Sequence, residues 1–257
     1  MLSITDKSEA SNENVQGHTF TIIELKPTEF DSLVSELVDI LPSHYIAPES
    51  IADILFRLGK GAAAQKLRDK IPEVMNIRSG DVGEVITTDY IEEYTDFDVP
   101  IRKLRWRDHR DMAMRGDDVI GIHIDQTSQT IRFLKAEAKS YKALNRPVLN
   151  KARKELDNDE GLPAPHALAF IIDRLKELGN AQLADLLEKV QLVDGISANQ
   201  VEHLLFTFTA SNPATLQKEA FEAYDGTIKQ TSVGFRVSGH QELIESVYHG
   251  ISDGLDD

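Results

Sequence analysis

Two alternating segments separated by four polar residues constrain this chain more than anything else in it: residues 118–125 (DVIGIHID) and 130–139 (TIRFLKAEAK). Period-two alternation sends successive side chains to opposite faces of a sheet, so the pair reads as a β-hairpin closed by the polar turn 126–129. Its second strand ends in Glu137-Ala138-Lys139. Residues i and i+2 of a strand share a face, which sets a carboxylate and an ammonium side by side at the polar mouth of the sheet.

The rest of the chain supplies material to cover such a sheet. Residues 18–25 (HTFTIIEL), 202–210 (EHLLFTFTA) and 230–237 read as further strands, and 97–106 as one that alternates after Pro100. Helical spacing predicts helices over 27–41, with Thr28 and Asp31 as a capping pair, then 48–58 stopped by Gly59, 62–70 and 80–94. Further helices are expected over 140–156, 167–178, 181–190, 214–223 and 241–249. The sum is a mixed α/β protein without regular βα alternation. Residues 1–16 are polar and aperiodic and read as a disordered arm. Residues 17–79 form an N-terminal strand and helical region, 80–210 the core, and 211–257 a C-terminal α/β extension packed on it.

At 257 residues the chain is long enough for a substantial core, and it contains no cysteine. A disulfide scaffold, a thiolate zinc site and a cysteine nucleophile are thereby excluded. No apolar run approaches the roughly 18–20 residues of a bilayer span, and the start lacks a basic-then-apolar signal, so a cytoplasmic protein with no membrane partner is expected.

The net charge of −15 argues against a nucleic-acid partner until its distribution is considered. Residues 101–116 and 131–154 together hold fourteen Lys and Arg against three acids, a local charge of +11. The other 217 residues carry −26, which describes a basic stripe on an acidic body. Arg105, Arg107, Arg110 and Arg115 in the first segment, and Lys142 and Arg146 in the second, are candidate phosphate contacts. A solvated, salt-bridged surface is the alternative reading. Trp106, the only tryptophan, reads as a packed aromatic in preference to a base-stacking one, and His123 as a core or sheet-face histidine.

Inside or beside the stripe stand Glu84, Asp117-Asp118 and Glu137-x-Lys139. Two or three carboxylates chelate Mg²⁺ through hard oxygens, and a neighbouring lysine orients or helps deprotonate an attacking water, which is the logic of metal-assisted phosphodiester hydrolysis. E-x-K alone is a weak signal, because such spacing occurs by chance on many surface strands. An acid at the start of the preceding strand and a helix Glu before it strengthen the reading, with a surface ion-pair cluster as the alternative. No P-loop, H-E-x-x-H or G-x-S-x-G motif is present, so an ATP motor must come from another chain.

The order helix with Glu, strand, strand opening with Asp, strand ending in E-x-K, basic helix and final strand resembles the αβββαβ core of the PD-(D/E)XK nuclease superfamily, a restriction-endonuclease-like fold, here with helical N-terminal and C-terminal elaborations. More specifically, G-D-V-G-E-V at 80–85, R-G-D-D-V-I-G at 115–121 and K-A-E-A-K-S at 135–140 resemble the nuclease subunit (HamA type) of the Hachiman anti-phage defence system. The resemblance implies a Mg²⁺-dependent deoxyribonuclease, with Mn²⁺ as a substitute ion, held in a heteromer with a superfamily 2 helicase. It implies Asp118 and Glu137 as metal-binding carboxylates, Lys139 as catalytic lysine and Glu84 as the helix glutamate. The motif-opening Pro-Asp is absent. Asp118 is preferred to Asp117 because Val119, Ile120 and Ile122 follow it as strand residues. A non-catalytic adaptor bridging a helicase to DNA, and an RNase effector, are the alternatives.

Overall fold

The computed structural model describes residues 2–114, 116–125, 127 and 130–256. Six strands form one mixed sheet: β1 (Ser8–Val15), β2 (His18–Leu25), β3 (Val119–Ile124), β4 (Ile131–Tyr141), β5 (Val201–Thr209) and β6 (Lys229–Arg236), in the order β1-β2-β6-β5-β4-β3. The two outer pairs, β1 with β2 and β3 with β4, are antiparallel, and the pairings between β2, β6, β5 and β4 are parallel. Parallel strands buried on both faces read as continuous apolar runs, and LLFTF in β5 is such a run.

Helices cover both faces. Those before the hairpin are α1 (Phe30–Tyr45), α2 (Pro48–Leu58), α3 (Lys60–Arg68) and α4 (Met75–Tyr94). Those after it are α5 (Arg146–Asp157), α6 (Pro165–Glu177), α7 (Ala181–Lys189), α8 (Ala214–Glu222) and α9 (His240–Asp256). Leu134, Ala136, Leu204, Phe206 and Phe235 face a core built with α1, α4 and α9. Phe133, Ile120 and Ile122 face α6 and α7, while Leu205 packs on Leu149, Ala152 and Leu156 of α5. The result is a three-layer α/β/α arrangement with a nuclease-like core. Among the described residues no helix is long and apolar enough to cross a membrane.

The structure departs from expectation in four places. Residues 8–15, expected to be disordered, pair with β2 along their whole length, and Leu2 and Ile4 are buried, with Leu2 N donating to Asp89 Oδ2 at 2.7 Å. The strand escaped notice because six of its eight side chains point into water, so no apolar period marks it. The strand expected at 97–106 shrinks to one bridge between Asp98 and Ile122, and Lys103–Trp106 wind into a 3₁₀ turn. Pro100 sits where a ladder donor is needed and ends the pairing there. The helix expected from residue 140 starts at Arg146, because Asn145 caps it by accepting from Val148 N and Pro147 fits only its first turn. Lastly, β2 and β6 share the sheet with β4 and β5, so the N-terminal and C-terminal segments complete the core sheet as well as elaborating it.

Candidate active site

The hairpin register fixes the centre of the site. Val119 pairs with Ala136, and one step further brings Asp118 opposite Glu137. Gly116, at φ +90°, makes the turn that delivers the chain to this point; a side chain there would also crowd His166 Nε2. The two aspartates after it diverge. Asp118 Oδ2 accepts from Ala138 N at 3.0 Å, beside the E-x-K. Asp117 turns the other way, accepting from Ala164 N at 2.8 Å and standing 3.5 Å from the buried Lys135 ammonium. Asp117 thus ties the loop to the start of α6.

Lys139 pairs with Glu137 on the same face of β4 and with Glu155 of α5 at 2.8 Å. Across the strand end, α4 presents Glu84. The helix approaches closely because Gly83 lacks a side chain: a Cβ there would lie 3.0 Å from the Cβ of Ser140. Lys103, carried in by the 3₁₀ turn, places its ammonium 3.6 Å from Glu84 and 3.8 Å from Asp118, and it donates to Asp117 O at 2.9 Å. The structure therefore brings together Glu84, Asp118, Glu137 and Lys139, and adds Lys103 and Glu155. Lys103 belonged to the basic run without distinguishing mark, and Glu155 is the first acid on a basic helix.

Burial shapes the electrostatics. It pushes the Glu84 carboxyl up to about 8, with Asp118 adding to the rise and Lys103 opposing it. Burial, then the neighbouring charge of Asp118, pushes Glu137 up to about 10 against the pull of Lys139. Burial disfavours charge on Lys139, but Glu137 and Asp118 outweigh it and hold the amine protonated well above the ordinary lysine value. Four carboxyls, Glu84, Asp118, Glu137 and Glu155, surround Lys103 and Lys139, and Lys151 stands 3.6 Å from Glu155, so full ionisation leaves one uncompensated negative charge.

Among the described residues no three His, Cys, Asp or Glu side chains are gathered closely enough to hold a metal ion. Lys103 and Lys139 stand between the carboxylates and neutralise part of their charge. The donor set nevertheless suits a hard divalent cation, because it offers oxygens only and its two proton-retaining carboxyls, Glu84 and Glu137, can ionise against a bound cation.

The basic stripe separates into engaged and free groups. Arg107 is buried, forms a bidentate pair with Asp81, and donates to Arg110 O at 3.0 Å. Asp81 also accepts from Tyr45 Oη at 2.7 Å. This corrects the expectation of a phosphate contact, since a guanidinium inside a buried network is out of reach of DNA. Arg105 donates to Ser43 O at 2.9 Å, and Arg110 is held by Glu73 and by Arg68 O. Arg146 pairs with Glu219 at 2.5 Å. Lys142 is exposed, borders the cleft beside Lys139, and makes no ion pair among the described residues. Arg115 lies outside the described residues. His123 is a sheet residue whose Nδ1 lies 2.6 Å from Asp96 O, away from the carboxylates.

Sequence reading also missed Ser79, Ser140 and His240, linked by contacts of 2.8 Å and 3.0 Å where α4, β4 and α9 meet. Burial pushes His240 down to about 4, and its Nδ1 has no partner among the described residues. A hydrolytic Ser–His pair needs a third group to orient the base, so this trio is a tether between elements.

A family model described as HamA matches residues 2–251. Hachiman protein HamA of Bacillus cereus is 28% identical over 120 residues, 47% of this chain and 41% of that protein, so the match spans about two-fifths of the relative's length. With nearly the whole length matched by the family model, the chain belongs to the HamA family.

Proposed function

We propose that this chain is a metal-dependent deoxyribonuclease of a Hachiman-type anti-phage defence complex, acting under the control of a superfamily 2 helicase partner. The observation that carries the reading is the convergence of Glu84, Asp118, Glu137 and Lys139 at one end of the β3–β4 hairpin, with more carboxyl groups than ammoniums around it. The name of the Bacillus cereus relative supports the defence setting.

Glu84, Asp118 and Glu137 would hold Mg²⁺ or Mn²⁺. When bound, such an ion neutralises charge building on the scissile phosphate and lowers the pKa of a coordinated water. Glu84 and Glu137, which keep their protons unusually well, would have to ionise to serve as ligands. Lys103, which stands 3.6 Å from Glu84 and 3.8 Å from Asp118, would have to yield its place to such an ion. Lys139, held by Glu155 from α5, stays protonated and donates hydrogen bonds that orient the attacking water and the phosphate oxygens. Lys142 attracts the DNA backbone at the rim.

The test is degradation of supercoiled plasmid, linear duplex and RNA in Mg²⁺ and in EDTA, by the chain alone and with its co-expressed helicase. The expected result is Mg²⁺-dependent loss of DNA with the complex. RNA loss without DNA loss favours the RNase alternative. No loss of either, in a preparation with a cooperative melt, overturns the nuclease reading and favours an adaptor.

A further inference from the structure

A cavity of about 730 Å³ opens beside the carboxylates, within the roughly 300–1,000 Å³ range of small-ligand sites. Glu84 and Asp118 line one wall. The lining also includes a stripe of α6 at helical i, i+4 spacing: His166, Phe170 and Arg174. Trp106, on the 3₁₀ turn that also carries Lys103, meets Phe170 edge-on with ring centroids 6.1 Å apart. The Arg174 guanidinium lies 5.4 Å from the Phe170 centroid and 5.9 Å from that of Trp106. Arg174 pairs with Glu177 through Nη1 at 3.0 Å, but its buried Nε has no partner among the described residues. No hydrogen bond is made by the Trp106 indole N–H among the described residues. Two aromatic rings, an under-used guanidinium and a free donor beside a phosphodiester site match a nucleobase, whose faces stack and whose edges accept hydrogen bonds.

On the far side of Glu84, Lys103 and Asp118 lies a second cleft of about 520 Å³, bordered by Lys139 and Lys142. The carboxylates thus sit at the junction of an aromatic pocket and a basic cleft. In a duplex both faces of each base are covered by neighbours, so only an unpaired or extruded base can enter the pocket.

We infer that the Trp106–Phe170–Arg174 cavity binds an unstacked nucleobase next to the scissile phosphate, which makes a DNA strand with unpaired bases the substrate of this site. The inference rests on the proposed nuclease reading for its substrate, and its test does not depend on cleavage. Because Trp106 is the sole tryptophan, its emission reports the pocket directly. A single-stranded DNA decamer and the blunt duplex it forms with its complement are titrated into the full chain, in EDTA and in Ca²⁺, with anisotropy of a labelled strand measuring binding. The expected result is a saturable change in Trp106 emission with the single-stranded decamer and little with the duplex. Phe170→Ala should weaken decamer binding by about fivefold or more. Should that variant melt early, Arg174→Gln, altered on a side chain that is 24% exposed, should weaken it about threefold.

Binding of the single-stranded decamer without a change in emission, an equal response to the duplex, or no DNA binding overturns the inference. Cleavage by wild type without the emission change overturns the pocket and leaves the nuclease standing. The emission change without cleavage by chain or complex in Mg²⁺ leaves the pocket standing and overturns the nuclease reading.

Discussion

Replacing Arg107 separates two accounts of the basic stripe. The stripe read as charge alone makes Arg107 a phosphate contact, whereas the structure places it 6% exposed, forked onto Asp81 and bonded to Arg110 O. Arg107→Met keeps the apolar stem and deletes the fork, leaving Asp81 buried with the Tyr45 hydroxyl as its remaining side-chain partner. Breaking a buried pair by removing one member costs about 3–5 kcal/mol, because the surviving charge has lost its water and its counter-ion. For a chain of this size that corresponds to a fall in Tm of roughly 6–20 °C. The double variant with Asp81→Asn should cost at least about 1 kcal/mol less than the two single losses added together, since both remove one interaction. Urea unfolding and thermal melts measure the loss, and DNA anisotropy runs in parallel. Arg107→Met melting within about 1 kcal/mol of wild type, with DNA affinity down more than tenfold, would refute the buried-pair reasoning and restore the phosphate contact.

Three further outcomes follow from the site. Asp118→Asn, which keeps an acceptor for Ala138 N, should abolish Mg²⁺-dependent cleavage with a native melt, whereas Asp117→Ala should cost about 1–3 kcal/mol of stability by freeing Ala164 N and weakening the hold on Lys135; the reverse assignment would show in the same pair of assays. Glu84 binds its proton more tightly folded (about 8) than unfolded (4.5), so the stability it lends is full below pH 4.5 and is lost as pH rises through 8. In EDTA, wild type should therefore lose about 2 kcal/mol relative to Glu84→Gln between pH 6 and pH 8, and parallel unfolding curves would contradict the buried-carboxyl argument. Lys142→Ala should lower DNA affinity and reduce the slope of log K against log salt by about 1, with a smaller effect from Arg146→Ala because Glu219 already holds that side chain; equal slopes for wild type and Lys142→Ala would remove Lys142 from the interface.

What the sequence made legible was the part governed by local period and local register. The hairpin, the side-by-side placement of Glu137 and Lys139, and the strand at His18–Leu25 all follow from alternation over eight or ten residues. The exit of α2 at Gly59 followed from the same kind of local signal. Features set by distant partners were hidden. Arg107 looked like any other member of a basic run, because Asp81, the group that buries it, lies 26 residues earlier on α4. Lys103 entered the site only because the expected strand at 97–106 broke at Pro100 and coiled, a loss that follows from one missing donor. The β1 strand was opaque for another reason: an edge strand with its side chains in water has no hydrophobic period to display. The choice between Asp117 and Asp118 rested on strand residues after Asp118, and the Gly116 turn supplies the geometry that sends the two side chains apart.

The central claim is that Glu137 and Lys139 act on a phosphodiester at the mouth of the β3–β4 hairpin. Its most direct test is the rate of supercoiled plasmid degradation in Mg²⁺ by the chain alone and co-expressed with the proposed helicase partner, wild type against Glu137→Gln and Lys139→Met. The account expects both variants to melt as wild type within a few degrees and to lose activity by at least about 100-fold, the scale of removing a positioned acid–base or charge-stabilising group. Degradation at the wild-type rate by either variant would contradict it.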